Sequence, residues 1–149
     1  MAYLIDTSIL ARLANSADTF HSLAAHAVLT LNERGEVLHV TAQNLIEFRN
    51  VATRPIALNG LGLAPLDAEA KAAGFEAVFP LLAETPDVFP KWKAVVQTLA
   101  VVGKQVHDAR LVAVCHVHEV THLLTFNGSH FARFGSFGPG LTVVDPVAV

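Results

Sequence analysis

Four short apolar runs punctuate this chain: Tyr3-Leu4-Ile5, Val37-Leu38-His39-Val40, Leu123-Leu124-Thr125-Phe126 and Leu141-Thr142-Val143-Val144. The stretches between them carry apolar residues at three- and four-residue steps instead. Short apolar runs bounded by turn residues read as strands, and the longer steps read as helices. Strands separated by helices do not pair as hairpins, so the pattern predicts an α/β fold with a mainly parallel sheet covered on both faces.

The helical stretches carry their own start and stop signals. After Asp6-Thr7-Ser8, the residues Ile9, Leu10 and Leu13 open the first helical spacing. Phe20, Leu23, Ala24, Ala27, Val28 and Leu31 describe an amphipathic helix that stops near Arg34-Gly35. Thr41 caps a helix with Leu45, Ile46, Phe48 and Val51, which Pro55 ends. Residues 56–66 form the longest loop-like stretch, and Asp67 is the expected cap of a helix through Phe75 and Val78. After a break from Pro80 to Pro90, the residues Trp92, Val95, Val96, Leu99 and Val102 mark the buried face of a helix ended by Gly103. Asp108 opens the next helix, through Leu111, Val112 and Cys115.

The 149 residues suffice for one domain spanning the chain, and no internal repeat is visible. Hydrophobic residues reach 52% and charged residues only 15%, which predicts an apolar face shared with another subunit. Charged residues interrupt every apolar run well before the roughly 18 residues a membrane span requires. The N-terminus lacks the basic region of a secretory signal and meets Asp6 early, so a cytoplasmic location is expected. The single cysteine, Cys115, lies among Val112, Ala113, Val114 and Val117 and reads as a core residue in a reducing compartment. A formal charge of −3 gives no overall attraction to nucleic acid, so such binding must rest on local basic groups or bridging cations.

Three carboxylates stand out by position. Asp6 directly follows a core strand, Glu47 lies mid-helix after the second strand, and Asp108 lies in the first turn of a later helix. In an open parallel sheet such positions share the edge where ligands bind, outside the carboxyl ends of the strands. A carboxylate next to a core strand is costly unless it is paired or metal-bound. Asp108 has a purely structural use as well, because a carboxylate there meets the helix dipole favourably, and Glu47 fits a solvated helix position. Together the three suit Mg²⁺ or Mn²⁺, hard cations that prefer oxygen ligands and activate water for attack on phosphorus.

The segments Leu4-Ile5-Asp6-Thr7-Ser8, Thr41-Ala42-Gln43-Asn44-Leu45-Ile46-Glu47-Phe48, Gly103-Lys104-Gln105-Val106-His107-Asp108-Ala109-Arg110-Leu111 and His122-Leu123-Leu124-Thr125-Phe126-Asn127 follow one another in a familiar order and spacing. The chain resembles the PIN-domain ribonucleases over essentially its whole length, and within them the VapC-type toxins of bacterial type II toxin–antitoxin pairs. That resemblance implies a PIN-like three-layer α/β/α fold and Mg²⁺- or Mn²⁺-dependent cleavage of RNA. It assigns Asp6, Glu47 and Asp108 as catalytic, metal-binding carboxylates. It also implies a homodimer and a small cognate antitoxin protein that inserts a segment near the site.

One position departs from the family pattern. Close relatives carry a fourth acidic residue where this chain has His130, in Thr125-Phe126-Asn127-Gly128-Ser129-His130-Phe131. Neutral histidine binds Mn²⁺ or Zn²⁺ but supplies no negative charge and is a poor Mg²⁺ ligand. Asn127 offers a carbonyl oxygen, although Asn-Gly after a strand also makes a simple turn. Within the expected site, Thr7 or Ser8 positions a water or a phosphate oxygen. The nearby Arg12, Arg49, Lys104 and Arg110 are candidates for RNA phosphates or plain solvated side chains.

Three other readings are open to the sequence. His118-Glu119-Val120-Thr121-His122 matches the His-Glu-x-x-His pattern of zinc proteases. That chemistry needs both histidines on one face of a continuous helix, whereas the following Leu123-Leu124-Thr125-Phe126 reads as a strand. The His130 substitution motivates a catalytically weak PIN domain that binds RNA or an antitoxin. A structure-specific DNA nuclease is disfavoured by the absence of an added helical arch.

Overall fold

In the computed structural model, which describes residues 1–149, five strands form one all-parallel sheet. They are β1 (Ala2–Ile5), β2 (Val37–Thr41), β3 (Leu81–Leu82), β4 (His122–Leu124) and β5 (Thr142–Val144), in the spatial order β3-β2-β1-β4-β5. The helices are α1 (Thr7–Leu13), α2 (His21–Glu33), α3 (Ala42–Thr53), α4 (Pro65–Val78), α5 (Val88–Leu99), α6 (Gln105–Val117) and α7 (Gly128–Phe131). The expectation of a mainly parallel sheet between two helical layers is met.

Strand alternation explains the two layers. Side chains point to opposite faces at successive strand positions. Accordingly Tyr3, Ile5 and Leu124 join a core with α1 to α4 that includes Ile9, Leu31, Phe48 and Ala72. Leu4 and Leu123 join the opposite core with α5 to α7, built on Val95, Leu111, Val112, Phe131 and Phe134. Cys115 is fully buried in this second core, and burial pushes its thiol pKa up to about 12, which leaves it inert.

Several local expectations are corrected. β3 arises inside the expected break from Pro80 to Pro90, because Val40 N–H reaches Pro80 O and Val40 and Thr41 lie beside Leu81 and Leu82. Two residues are too few to leave a periodic signature in sequence. α4 starts at Pro65 with Ala64 as its cap, so Asp67 sits in the first turn, and residues 56–58 form a short 3₁₀ turn. Proline suits a helix's first position, where its missing N–H costs nothing. The same tolerance lets α5 begin at Val88 and carry Pro90 in its first turn. α5 ends at Leu99, capped by Ala100 in the left-handed region at φ 49°, rather than at Gly103, and Val102 beyond it is exposed. α6 begins at Gln105, three residues ahead of Asp108, and Asn127-Gly128 leads into the single turn of α7.

The strand order determines where a site can form. From β1 the chain winds outward through β2 to β3, then returns past β1 to β4 and β5. The carboxyl ends of β1 and β4 therefore flank the switch point, where connecting segments diverge and leave a crevice.

Candidate functional site

Asp6 emerges from β1 at that crevice. Its N–H donates to Leu124 O at 3.0 Å, continuing the ladder toward β4, and it caps α1. Only 5% exposed, its carboxylate is held through Oδ2, which accepts from Ser8 Oγ at 2.7 Å, Thr125 Oγ1 at 2.8 Å and Ser8 N–H at 3.4 Å. The Oδ1 atom accepts no hydrogen bond from the protein, so the charge is oriented on one side and open to a ligand on the other.

Glu47 is brought in by α3. Thr41 and Asn44 form a reciprocal capping box at its start, with Asn44 N–H donating to Thr41 Oγ1 at 3.1 Å and Thr41 N–H to Asn44 Oδ1 at 3.0 Å. The buried Asn44 then spends its amide on Thr7, whose Oγ1 accepts from Asn44 Nδ2 at 3.3 Å and donates to Glu47 Oε2 at 2.8 Å. Gln43 Nε2 donates to Glu47 Oε1 at 2.9 Å and to His107 O at 2.8 Å, tying α3 to α6. Both Glu47 oxygens are thus oriented by side chains from α1 and α3.

Asp108 completes the set from the first turn of α6. Burial, followed by the charge of Asp6 and then of Glu47, pushes its pKa up to about 6, while the neighbouring His130 and His107 act in the opposite direction. Two carboxylates from other elements thus lie close enough to make ionisation of a third unfavourable. Asp6, Glu47, Asp108, Asn127 and His130 all line one pocket of about 460 Å³. Lys104 borders two of these carboxylates, Glu47 and Asp108, from an adjoining recess with His107 and His130.

No three His, Cys, Asp or Glu side chains are drawn tightly enough together to ligate an ion as they stand. The hydrogen bonds just described hold Asp6 and Glu47 in separate orientations. The donor set nevertheless fits a hard divalent cation, because every acidic group is a carboxylate and their mutual repulsion favours a shared positive charge.

The remaining expected residues divide. Thr7 and Ser8 lie at the pocket, but their hydroxyls donate to Glu47 and Asp6, which makes them holders of the carboxylates. Arg12 lines the pocket, whereas Arg49 lies outside it and pairs with Glu69 through Nη2 at 2.7 Å. Arg110 also lies outside, bonded to Glu84 and to Gln43 Oε1. Helical rotation explains Arg49, since residues two apart, such as Glu47 and Arg49, do not face the same way.

Sequence reasoning did not single out Thr125, Gln43, Asn44 or Arg54 for the site. Thr41-x-x-Asn44 carried a legible capping signal, and Thr125 stood as a lone hydroxyl at the end of an apolar run. Nothing in the spacing identified Arg54, which reaches the pocket from the end of α3.

The zinc-protease pattern disperses. α6 ends at Val117, Glu119 adopts a left-handed φ of 56°, and His122 begins β4. His118 Nε2 lies 2.7 Å from Ala83 O, while the His122 ring packs on Tyr3 with centroids 4.7 Å apart.

Comparison with known proteins agrees with this architecture. VapBC2 from Rickettsia felis, solved bound to a DNA fragment from its promoter, superposes with a TM-score of 0.72 at 13% identity, covering 97% of this chain and 98% of that one. VapBC-1 from nontypeable Haemophilus influenzae gives 0.69 at 16% identity with 99% of both chains covered. Mycobacterium tuberculosis VapC20, a toxin that cleaves the sarcin–ricin loop, gives 0.66 at 21% identity over 87% of this chain and 93% of its own. No curated protein matches the chain by sequence. The family model of the PIN domain matches residues 3–136, which takes in all three carboxylates and His130, and the chain therefore belongs to the PIN-domain family.

Proposed function

We propose that this protein is a metal-dependent endoribonuclease and the toxin of a type II toxin–antitoxin pair, active in the cytoplasm. The reading rests above all on one observation: Asp6, Glu47 and Asp108, contributed by three separate elements, line a single pocket at the sheet's switch point. Membership of the PIN family and the shared fold of VapBC complexes support it. The same likeness supports a cognate antitoxin, and the apolar composition supports a homodimer. No helix is long and apolar enough to cross a membrane.

Mg²⁺ or Mn²⁺ held by Asp6, Glu47 and Asp108 would neutralise the phosphodiester and lower the pKa of a coordinated water. The chain's own contribution is orientation. Ser8 and Thr125 fix Asp6 through Oδ2, while Thr7 and Gln43 fix the two oxygens of Glu47. Asn127 and His130 border the carboxylates from α7 and its cap. Lys104, in the adjoining recess, would meet an RNA phosphate.

The test is cleavage of a mixed structured RNA with Mg²⁺, Mn²⁺ or EDTA, beside Asp6→Asn. Metal-dependent cleavage that the variant lacks is the expected result. Cleavage retained by the variant, or none with either metal, rejects the assignment. His130 favours a second reading, a weak nuclease that acts mainly by binding RNA or its antitoxin. Under that reading His130→Asp raises Mn²⁺-dependent cleavage; an unchanged or lower rate means that the site has adapted to histidine.

A further inference from the structure

The pocket's lining extends past Asp6, Glu47 and Asp108. It includes Arg12, Asn15 and Asp18 from α1 and the segment after it, and Arg54, Asn59 and Gly60 from the end of α3 and the loop that follows. Of the six arginines in the chain, only Arg12 and Arg54 have a buried Nε–H without an acceptor, and both line this pocket. The others are engaged differently: Arg49 by Glu69, Arg110 by Glu84 and Gln43, Arg133 by Gln105 and Leu99 O, and Arg34 by Val149 O. A donor shielded from water and left unpaired is costly, and an arginine presents further N–H groups in the same plane that suit a phosphate.

Each guanidinium is held in place by its surroundings. Arg12 Nη1 donates to Ser8 O at 3.1 Å, and its guanidinium lies over the Phe126 ring at 4.7 Å and the Phe20 ring at 5.7 Å. Arg54 Nη2 donates to Asn59 O at 3.0 Å, closing a loop in which Gly62 N–H returns to Arg54 O at 2.9 Å. Gly60 packs so closely on the Arg54 backbone that an added Cβ would fall 2.0 Å from Arg54 O. The loop-like stretch after α3 is therefore a built wall that presents Arg54. Asp18 Oδ1 lies 4.0 Å from Arg12 Nε, too far for a hydrogen bond, and accepts from Phe20 N–H instead.

We propose that Arg12 and Arg54 form an anion subsite that grips a backbone phosphate of single-stranded RNA flanking the one to be cut. The inference rests on the nuclease reading for the identity of the strand. The carboxylate half repels phosphate unless a cation is present, so the arginine half supplies the attraction that seats the chain. Asp18 tempers that attraction by facing Arg12.

The test separates binding from cleavage. Affinity of the full protein for a fluorescent single-stranded oligoribonucleotide is measured by anisotropy in EDTA over a range of salt. Arg12→Gln and Arg54→Gln should each weaken binding roughly fivefold and make the log–log salt slope shallower by about 0.7. Arg49→Gln, outside the pocket, should bind as wild type, and Asp18→Asn should bind more tightly. The Asp18 variant guards against a loss caused merely by misfolding. Wild-type affinity in both pocket variants, or an equal loss in Arg49→Gln, overturns the subsite. Loss of binding in the two pocket variants without cleavage under any metal keeps the subsite and rejects the nuclease reading.

Discussion

Two regions of this molecule carry side chains of the types that bind metals, and they teach opposite lessons. His118, Glu119 and His122 are neighbours in sequence, yet the end of α6 and the start of β4 pull them apart and give each ring a different structural contact. Asp6, Glu47 and Asp108 are far apart in sequence, yet the parallel sheet delivers all three to one pocket. Proximity along the chain therefore says less about a site than position relative to the ends of parallel strands.

The difference can be broken at its strongest point. Asp6→Asn is expected to reduce metal-dependent RNA hydrolysis by roughly a thousandfold while the fold persists, because the lost charge is the one buried deepest in the site. Cleavage assays beside circular-dichroism melts check this, and activity within tenfold of wild type would reject it. A smaller effect is expected from the groups that hold the carboxylates. Thr125→Val removes one of the donors to Asp6 Oδ2 from a fully buried position. Stability should fall by about 1 kcal/mol, equivalent to about 2–4 °C in Tm, and hydrolysis by roughly tenfold.

Acidity sharpens the comparison further. Asp108, with its pKa raised to about 6, holds its proton more tightly in the folded protein than in the unfolded chain. Between the ordinary carboxylate pKa and about 6 the folded state thus binds more protons, so this group makes the metal-free protein less stable as pH rises through that window. Thermal melts in EDTA should show a penalty at pH 7 relative to pH 5 that is smaller in Asp108→Asn. Equal pH dependence in the two proteins would contradict the burial of Asp108 beside Asp6 and Glu47. The smallest effects belong to the other region: His118→Ala and His122→Ala should leave hydrolysis within about twofold of wild type, and a larger loss would return the histidines to the site.

Much of this was legible beforehand because it rests on local rules. Thr41 as the cap of α3, Gly35 after α2 and the strand at Tyr3-Leu4-Ile5 all follow from capping and periodicity, and the structure contains them. The misses are equally local. β3 is too short to carry a period, and the start of α4 turned on Pro65 rather than on the acidic Asp67. At the site, Asp6 and Asp108 were visible as charges at a strand end and in a helix's first turn, and Glu47 as a carboxylate within the helix after the second strand. Arg49 and Arg110 were equally close in sequence and yet fall outside the pocket, each engaged with a glutamate.

By itself the sequence determined the order of four of the five strands and of the helices α1 to α6, the α/β class and the residue types available for chemistry, because these depend on period, capping and composition. Only the tertiary structure decided which charges meet. The return of the chain from β3 past β1 to β4 brings Thr125 onto Asp6, and the starts of α3 and α6, which lie on opposite faces of the sheet, meet beyond its edge where Gln43 donates to His107 O beside Asp108. It also decided that Arg54, at the far end of α3, faces the same pocket as Asp6. Such encounters are set by how two cores bury against one sheet, and a linear pattern carries no record of them.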